Sequence, residues 1–490
     1  MTVTTFLKTI PYLPMITSIA KKHKVSVWLV GGCLRNFSLG RISSLSDFDF
    51  CVESRTFSVV REFAKRISSK CIVMDAEQES LRVVVRKKGK AYTYDFTLMR
   101  GGDFYQDASL RDFSINTLAV DLCSTRRSLI DYFGAKKDLK NKLIRVVREE
   151  VIPQDPLRIL RAFSFAAGYG FCIEAETLKL MIKGKKLLKK VSKERISEEL
   201  FKVFKVKHSF KTINEMSRLK ILDEIVPHVS EMRRVSQGGY HHLDVWDHSL
   251  ETLRQFELLC SRRLNKNKDF QDYLDEELSS GHKRFQIIKL ACLLHDAGKP
   301  LAKRKLNKRT IFHTHEKIGR DLAADVSKSL RLSFREEDLL KKLIFWHLRP
   351  GYLADQVTPS QRAVYRFFRD TNKEGAGVVA LSLADWRATR GPLTDALKRK
   401  RHERIMLGLV KKYFIKQKNK PLPKLIDGHQ LMKTFNLSSS PLIGKILKKI
   451  KEEQSLGVIS NRRQAFNQAK KIINARLCTE STSKVVKGGK

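Results

Sequence analysis

The hydrophobic pattern of this chain changes character about a third of the way along it. Early on, apolar residues come in short runs bounded by turn residues: Trp28-Leu29-Val30, Phe48-Asp49-Phe50-Cys51-Val52, Cys71 to Met74, Leu81 to Val85 and Tyr92 to Thr97. Such runs predict strands of a small mixed sheet, with a turn and a helix between the first two. From Asp155 to Ala167 leucine, isoleucine, phenylalanine and alanine recur at helical spacing, which predicts one helix carrying Asp155, Arg158 and Arg161 on neighbouring turns. A second apolar helix, Ile287 to Leu294, is closed by His295-Asp296 and then Ala297-Gly298-Lys299-Pro300, which predicts a helix stop. Beyond residue 400 the chain is basic and helical, with Pro421 and Pro423 marking a break before a last bundle. The closing residues, Thr479 to Lys490, predict disorder.

The strand pattern places chemistry. In a strand alternate side chains share a face, so Asp47 and Asp49 point the same way, as two carboxylates suited to hard divalent ions such as Mg²⁺. Just before them, Gly31-Gly32 forms a turn that lets backbone N–H groups approach phosphate, and Arg35 can grip phosphate bidentately. Asp95, between Tyr94 and Phe96, is either a third carboxylate of this site or an edge-strand residue facing water. Arg111, Asp112 and Asn116 interleave with an apolar helical stripe, and spacing alone gives them no role. These parts suit a phosphoryl-transfer site in which metals hold a nucleoside triphosphate and activate a hydroxyl.

At 490 residues the chain is long enough for several domains. Its 96 lysines and arginines against 52 aspartates and glutamates give a net charge of +44, which points to a polyanionic partner, nucleic acid before membrane. Eight scattered cysteines without a C-x-x-C pair suit a reducing compartment rather than zinc ribbons or disulfides. No apolar run approaches a membrane span. Residues 1–46 lack acidic residues, as transit peptides do, but the glycine turn at Gly31 leaves little chain to remove, so the expected location is the cytoplasm.

The succession GGxxR, DxD, RDFSIN, DPLRILRAFSFAAGYGF and RISEEL resembles the class II tRNA nucleotidyltransferase and bacterial poly(A) polymerase family over almost the whole chain. The resemblance implies an α+β nucleotidyltransferase head of the DNA polymerase beta superfamily, followed by mostly helical neck, body and tail. The expected divisions are 1–150 head, 151–230 neck with the base-reading and RNA-binding region, 231–400 HD domain, 401–478 basic tail and 479–490 disordered. It assigns catalytic metals to Asp47 and Asp49, and triphosphate and ribose contacts to Arg111, Asp112 and Asn116, with Arg161 beside them. Asp155 and Arg158 become a protein template. A carboxylate only accepts and a guanidinium only donates, so the pair takes the amino and ring-nitrogen edge of C or A and refuses U or G. Each such bidentate contact discriminates by about 1–3 kcal/mol. The plain alternative for the pair is an N-terminal Asp on a helix dipole with a salt bridge one turn on. This chain departs from the family's usual pattern at Asn36, Leu110, Gln154 and Ser164, which bears on triphosphate contacts and base choice.

A second constellation comprises His248, His295, Asp296, His315, His347 and Asp385. Histidine with carboxylate suits Mn, Fe, Co, Ni or Zn as well as Mg. With Tyr240-His241 to Ser249 and Leu293 to Lys299, it resembles an HD-domain phosphohydrolase. That likeness makes His248, His295, Asp296 and Asp385 principal ligands, with His315 and His347 serving a second metal or a phosphate. The expectation is an enzyme that builds or repairs the tRNA 3′-CCA end from CTP and ATP without a nucleic-acid template. Its HD centre would clear 2′,3′-cyclic or 3′-phosphate RNA ends. The alternatives are an A-adding enzyme, a poly(A) polymerase, or chiefly an HD hydrolase with an RNA-binding head.

Overall fold

A computed structural model describes residues 1–485 apart from 43–44, 88, 239–241, 280, 307–308, 391–394 and 420–421. The chain divides into two compact units, residues 1–226 and 227–490.

The first unit is built on a six-stranded sheet: β1 (Val27–Val30), β2 (Asp47–Val52), β3 (Cys71–Asp75), β4 (Ser80–Lys87), β5 (Lys90–Leu98) and β6 (Ala119–Asp121), in the order β3-β4-β5-β2-β1-β6. Only β2 and β5 pair in parallel; the other neighbours are antiparallel, giving the mixed sheet the pattern predicts. Alternation sorts β2: Phe48 and Phe50 are buried, while the aspartates face the other way. Phe50, Phe96, Tyr94 and Phe63 of the helix Thr56–Arg66 pack as stacked and edge-on rings 4.8–5.8 Å apart. That aromatic layer packs one face of the strands and leaves the aspartates on the other. A glycine turn then starts the short helix Gly32–Ser38. Residues 151–226 add the helices Arg158–Tyr169, Ala175–Gly184, Lys193–Lys205 and Phe210–Arg218 to the same unit, with Phe163, Phe201 and Phe204 fully buried among them.

Two expected elements differ. Arg111 to Asn116 is not a helix: Phe113 bridges to Val146 and only Ser114–Asn116 makes a 3-10 turn. Asp155 is not within the next helix but extended before it, at φ −142° and ψ 94°, because a residue followed by proline, here Pro156, is driven out of the helical region.

The second unit is helical around Gly375–Ala388, which is apolar on every side and buried from Gly375 to Ala384, as a central helix must be. The helices Val245–Arg262, Arg284–Leu294, His315–Ser329 and Phe334–Trp346 make up the body with it. The helix Arg284–Leu294 stops at His295 as expected, and Pro300 sits in the first turn of the next short helix, Lys299–Ala302, where its fixed φ is suited. The helices Gly428–Phe435, Pro441–Ser455 and Arg462–Val485 close on their own apolar cluster, including Leu431, Ile446 and Ile450. Buried Glu452 ties them to Arg366 at 2.8 and 2.9 Å. The last helix runs to Val485, beyond the point where disorder is expected at Thr479; residues 486–490 lie outside the described residues, as do Tyr240, His241 and Pro421. Among the described residues no helix is long and apolar enough to cross a membrane.

Candidate functional site

At the end of β1, Gly31 has φ +74°, and a Cβ there would come within 2.8 Å of Asp49 Oδ2. Only glycine lets this turn lie against the carboxylate. Asp49 stands in register between Val30 and Asp95 on neighbouring strands. Asp95 is therefore on an interior strand, not an edge, and Arg82 of β4 holds it by two hydrogen bonds of 2.7 and 2.8 Å. Burial, and then Asp95 beside it, push the Asp49 carboxyl up, with Arg111 and Arg35 only partly offsetting them. Crowded carboxylates with raised affinity for a proton are also a site for a divalent cation, which removes the repulsion that the proton would. Asp47 starts the same strand, exposed, with the Ser46 hydroxyl 3.2 Å away.

The facing wall is wired together. Buried Asp112 accepts from Phe113 N–H and Asn116 Nδ2, each at 2.8 Å, and from Arg161 Nε at 2.9 Å. Arg35 donates to Asn116 Oδ1 and, at 2.8 Å, to Tyr169 Oη, with its guanidinium over the Phe165 and Tyr169 rings at 4.9 and 4.7 Å. Arg35 thus links the helix Gly32–Ser38 to the Arg158–Tyr169 helix. Tyr169 in turn donates to Asn36 Oδ1 at 2.8 Å, so this departure from the family pattern has a partner. Ser164, another departure, donates to Glu199 at 2.6 Å. Arg111 pairs with buried Asp107 at 2.8 Å, which also takes Arg100 at 3.2 Å.

Asp155 and Arg158 line the same cleft, of about 740 Å³, as Gly31, Asp49, Asp95 and Arg111. Asp155 accepts from Leu157 N–H at 3.3 Å and pairs with Arg195 at 2.9 Å. Arg158 is steered by the carbonyls of Leu110 and Val151, at 3.0 and 3.2 Å. Sequence reasoning does not find Arg82, Asp107, Tyr169 or Arg195. The one signal for Tyr169 is its place one turn after Phe165, ahead of the Gly170 that ends the helix.

In the second unit all six expected residues converge. His248 Nε2 lies 2.9 Å from Asp385 Oδ1 and 3.7 Å from Asp296 Oδ2. His295 Nε2 and His315 Nε2 each lie 3.3 Å from the Asp296 carboxylate, and His347 Nε2 lies 3.8 Å from it. His295, His315 and His347 donate Nδ1–H to the carbonyls of Cys292, Phe312 and Ile344, at 3.0, 2.7 and 2.6 Å. Each carbonyl holds Nδ1–H and so turns Nε2 inward. Those three buried Nε2 atoms have no hydrogen-bond partner among the described residues. Burial pulls the His295 pKa down, but Asp296 and Asp385 outweigh it and carry it up to about 10. Burial, then His295 and His315, push His347 down to about 3, so it stays neutral. The donors fit divalent ions, in overlapping sets: His248, His295 and Asp296; His295, His347 and Asp385; Asp296, His315 and His347. Lys299 Nζ, held by Gln237 at 2.6 Å, lies 2.7 Å from Asp296 Oδ2.

Residues 27–145 match the family described as poly A polymerase head domain, residues 170–232 the probable RNA and SrmB-binding site of polymerase A, and residues 245–389 the HD domain. The A-adding tRNA nucleotidyltransferase of Deinococcus radiodurans is 27% identical over 89% of this chain and 93% of its own length. The CC-adding tRNA nucleotidyltransferase of Geobacter sulfurreducens is 28% identical over 93% and 94%. The fold is that of a Thermotoga maritima CCA-adding enzyme solved with tRNA, at 21% identity, TM-score 0.63 and coverage of 96% and 95%, and of a CCA-adding enzyme solved with ATP, at 20% identity, TM-score 0.67 and coverage of 97% and 98%. Three consecutive family matches and relatives aligned over nearly their whole length leave one placement: the chain belongs to the tRNA nucleotidyltransferase and poly(A) polymerase family with an HD domain.

Proposed function

We propose that this protein builds or repairs the 3′-terminal CCA of tRNA from CTP and ATP, without a nucleic-acid template. The observation that carries this reading is that the carboxylates of Asp49 and Asp95 line one cleft together with Asp155 and Arg158. The 3′-hydroxyl of the RNA attacks the α-phosphate and pyrophosphate leaves. Asp47 and Asp49, with Asp95 as a third carboxylate, would hold Mg²⁺, which would supply charge stabilisation for the transfer. Arg111, Asp112 and Asn116 bind triphosphate and ribose, and Arg35 and Arg161 hold those groups in place through Asn116 and Asp112. Gly31 and Gly32 let the backbone approach the triphosphate. Asp155 accepts the amino group of C or A, Arg158 donates to the ring nitrogen, and U or G would face each with its own kind.

The labour divides along the chain: residues 1–150 transfer, 151–230 read the base and bind RNA, 231–400 hold the HD centre and 401–478 grip tRNA. The HD centre supports a second activity. His248, His295, Asp296 and Asp385, with His315 and His347, would hold a transition metal or Mg²⁺, which would supply an activated water for hydrolysis of the 2′,3′-cyclic or 3′-phosphate RNA ends that block nucleotide addition. Both activities belong in the cytoplasm, where tRNA is matured.

The test is incorporation into tRNA lacking CCA, with Mg²⁺ and CTP alone, ATP alone, or both. Addition of two C and one A, then arrest, is the expected result. A added only to tRNA already ending in CC would mean an A-adding enzyme. Arrest after CC would mean a CC-adding one, and open-ended A tails on many RNAs a poly(A) polymerase.

A further inference from the structure

Outside both sites, the second unit holds a concentration of arginines that neither activity uses. Arg254, Arg262, Arg263, Arg387 and Arg390 line one cavity of about 440 Å³. A neighbouring cavity of about 280 Å³ shares Arg387 and adds Arg399, Lys400 and Trp386. Only part of this charge is answered. Glu251 takes Arg254 at 2.8 Å, and Glu403 takes Arg387 at 2.5 Å and Arg263 at 3.7 Å. Arg262 and Arg390 make no salt bridge among the described residues. Burial, and then Arg390, press the Arg399 guanidinium down, with Glu403 opposing them and Arg387 adding to them. The buried indole N–H of Trp386 has no acceptor among the described residues. Arg390 and Arg399 reach the Arg387 carbonyl at 3.4 and 3.5 Å, which caps the end of the Gly375–Ala388 helix. Capping needs one cation; the others crowd two cavities in which Glu251 and Glu403 are too few to pair every guanidinium.

Its place gives it a meaning. Gln255 and Arg262, both lining or flanking the pocket, follow His248 on one helix, by seven and fourteen residues, or about 10 and 20 Å at 1.5 Å per residue. Arg387 follows Asp385 on another. The pocket therefore shares two rigid elements with the metal centre. It also lies outside residues 170–232, the stretch matched to RNA binding.

We infer that this arginine pocket is a phosphate-binding site that takes successive phosphodiesters of an RNA strand engaged by the HD unit, an inference resting on the reading of that unit as acting on RNA. Guanidinium forks match phosphate oxygens in pairs, and several at once suit a backbone rather than a single anion.

The experiment uses the full chain, with Arg262→Gln and Arg390→Gln combined because neither breaks an ion pair, and Arg262→Lys with Arg390→Lys as the charge-keeping control. Binding of tRNA lacking CCA is followed across a KCl series. Loss of two phosphate contacts should flatten the slope of log affinity against log salt by about 1.4–1.8, at 0.7–0.9 per contact. The lysine pair should keep the wild-type slope. An unchanged slope in the glutamine pair overturns the inference. So does calorimetry in which the glutamine pair loses inorganic pyrophosphate binding while its tRNA slope is intact, since the pocket would then serve a small free anion. Nucleotide incorporation by the wild type is read separately; its failure would strike the proposed transfer activity, while the slope difference still decides the pocket.

Discussion

The two proposed metal centres are built on opposite plans. In the head, the carboxylates come from adjacent strands of one sheet and open onto a cleft, and the cations around them are already tied to Asp107, Asp112 and Asp95. In the HD unit, the ligands come from separate helices and chain turns, and five of the six are buried below a tenth of their surface. His295, His315 and His347 each lean on the carbonyl three residues back, so the backbone itself aims the ligands. The head is a site that its substrate completes, since a nucleotide brings most of the charge that metals and arginines must meet. The HD centre is finished before anything arrives, as suits resident ions and water.

The sharpest way to break this comparison is to disable each centre alone. Asp49→Asn should cut nucleotide transfer by about 10³, the effect of losing several kcal/mol of charge stabilisation, and leave hydrolysis of a 2′,3′-cyclic phosphate untouched. Asp296→Asn should do the reverse. Steady-state rates of both activities on both variants decide it; a loss of both activities in either variant would mean the regions are not independent.

Next in size is the response to metal. After chelation and dialysis, Mn²⁺ should raise the melting temperature of the wild type, since an ion at a hundredfold its Kd adds about 2.7 kcal/mol to the native state. A preformed centre of six donors, five of them buried, should give this in Asp49→Asn but not in Asp296→Asn. If Asp49→Asn abolished the shift instead, the head would be the preformed site and the comparison would be inverted.

Base choice sharpens the picture of the open cleft. Asp155→Asn replaces an acceptor by a group that can also donate, so UTP should enter. Discrimination against UTP should fall by about 1–3 kcal/mol, or 5- to 150-fold in kcat/KM. Undiminished rejection of UTP would shift base reading from Asp155 to other groups, Arg195 included.

How much of this was legible in the chain follows from range. Short apolar runs bounded by turns name β1 to β5, and alternation alone puts Asp47 and Asp49 on the polar face, because both are local rules. The six HD residues could be named from their motifs and are brought together in the fold. Local rules failed where a neighbour overrode periodicity: Pro156 pulls Asp155 out of the helix, and the bridge from Phe113 to Val146 turns an apparent helical stripe into one tight turn. Groups that act across the fold left no pattern at all. Arg82 meets Asp95 through strand register, and Tyr169 meets Arg35 across 134 residues of chain.

That long-range wiring is open to one last and smaller test. Burial raises the Asp112 carboxyl, but the Arg161 guanidinium, with hydrogen bonds from Asn116 and Phe113, outweighs it, and the net direction is down. A carboxyl held below its unfolded value stabilises the fold above about pH 4, and the contribution is lost as pH falls through the folded value. Asp112→Asn should therefore be less stable than the wild type at pH 7 in urea unfolding, and the gap should narrow as the solution is acidified. A gap that stays constant down to pH 3 would show that Asp112 works through shape rather than charge. The wall facing the metal carboxylates would then be a packed surface rather than an electrostatic network, and closer in kind to the HD centre than its exposure suggests.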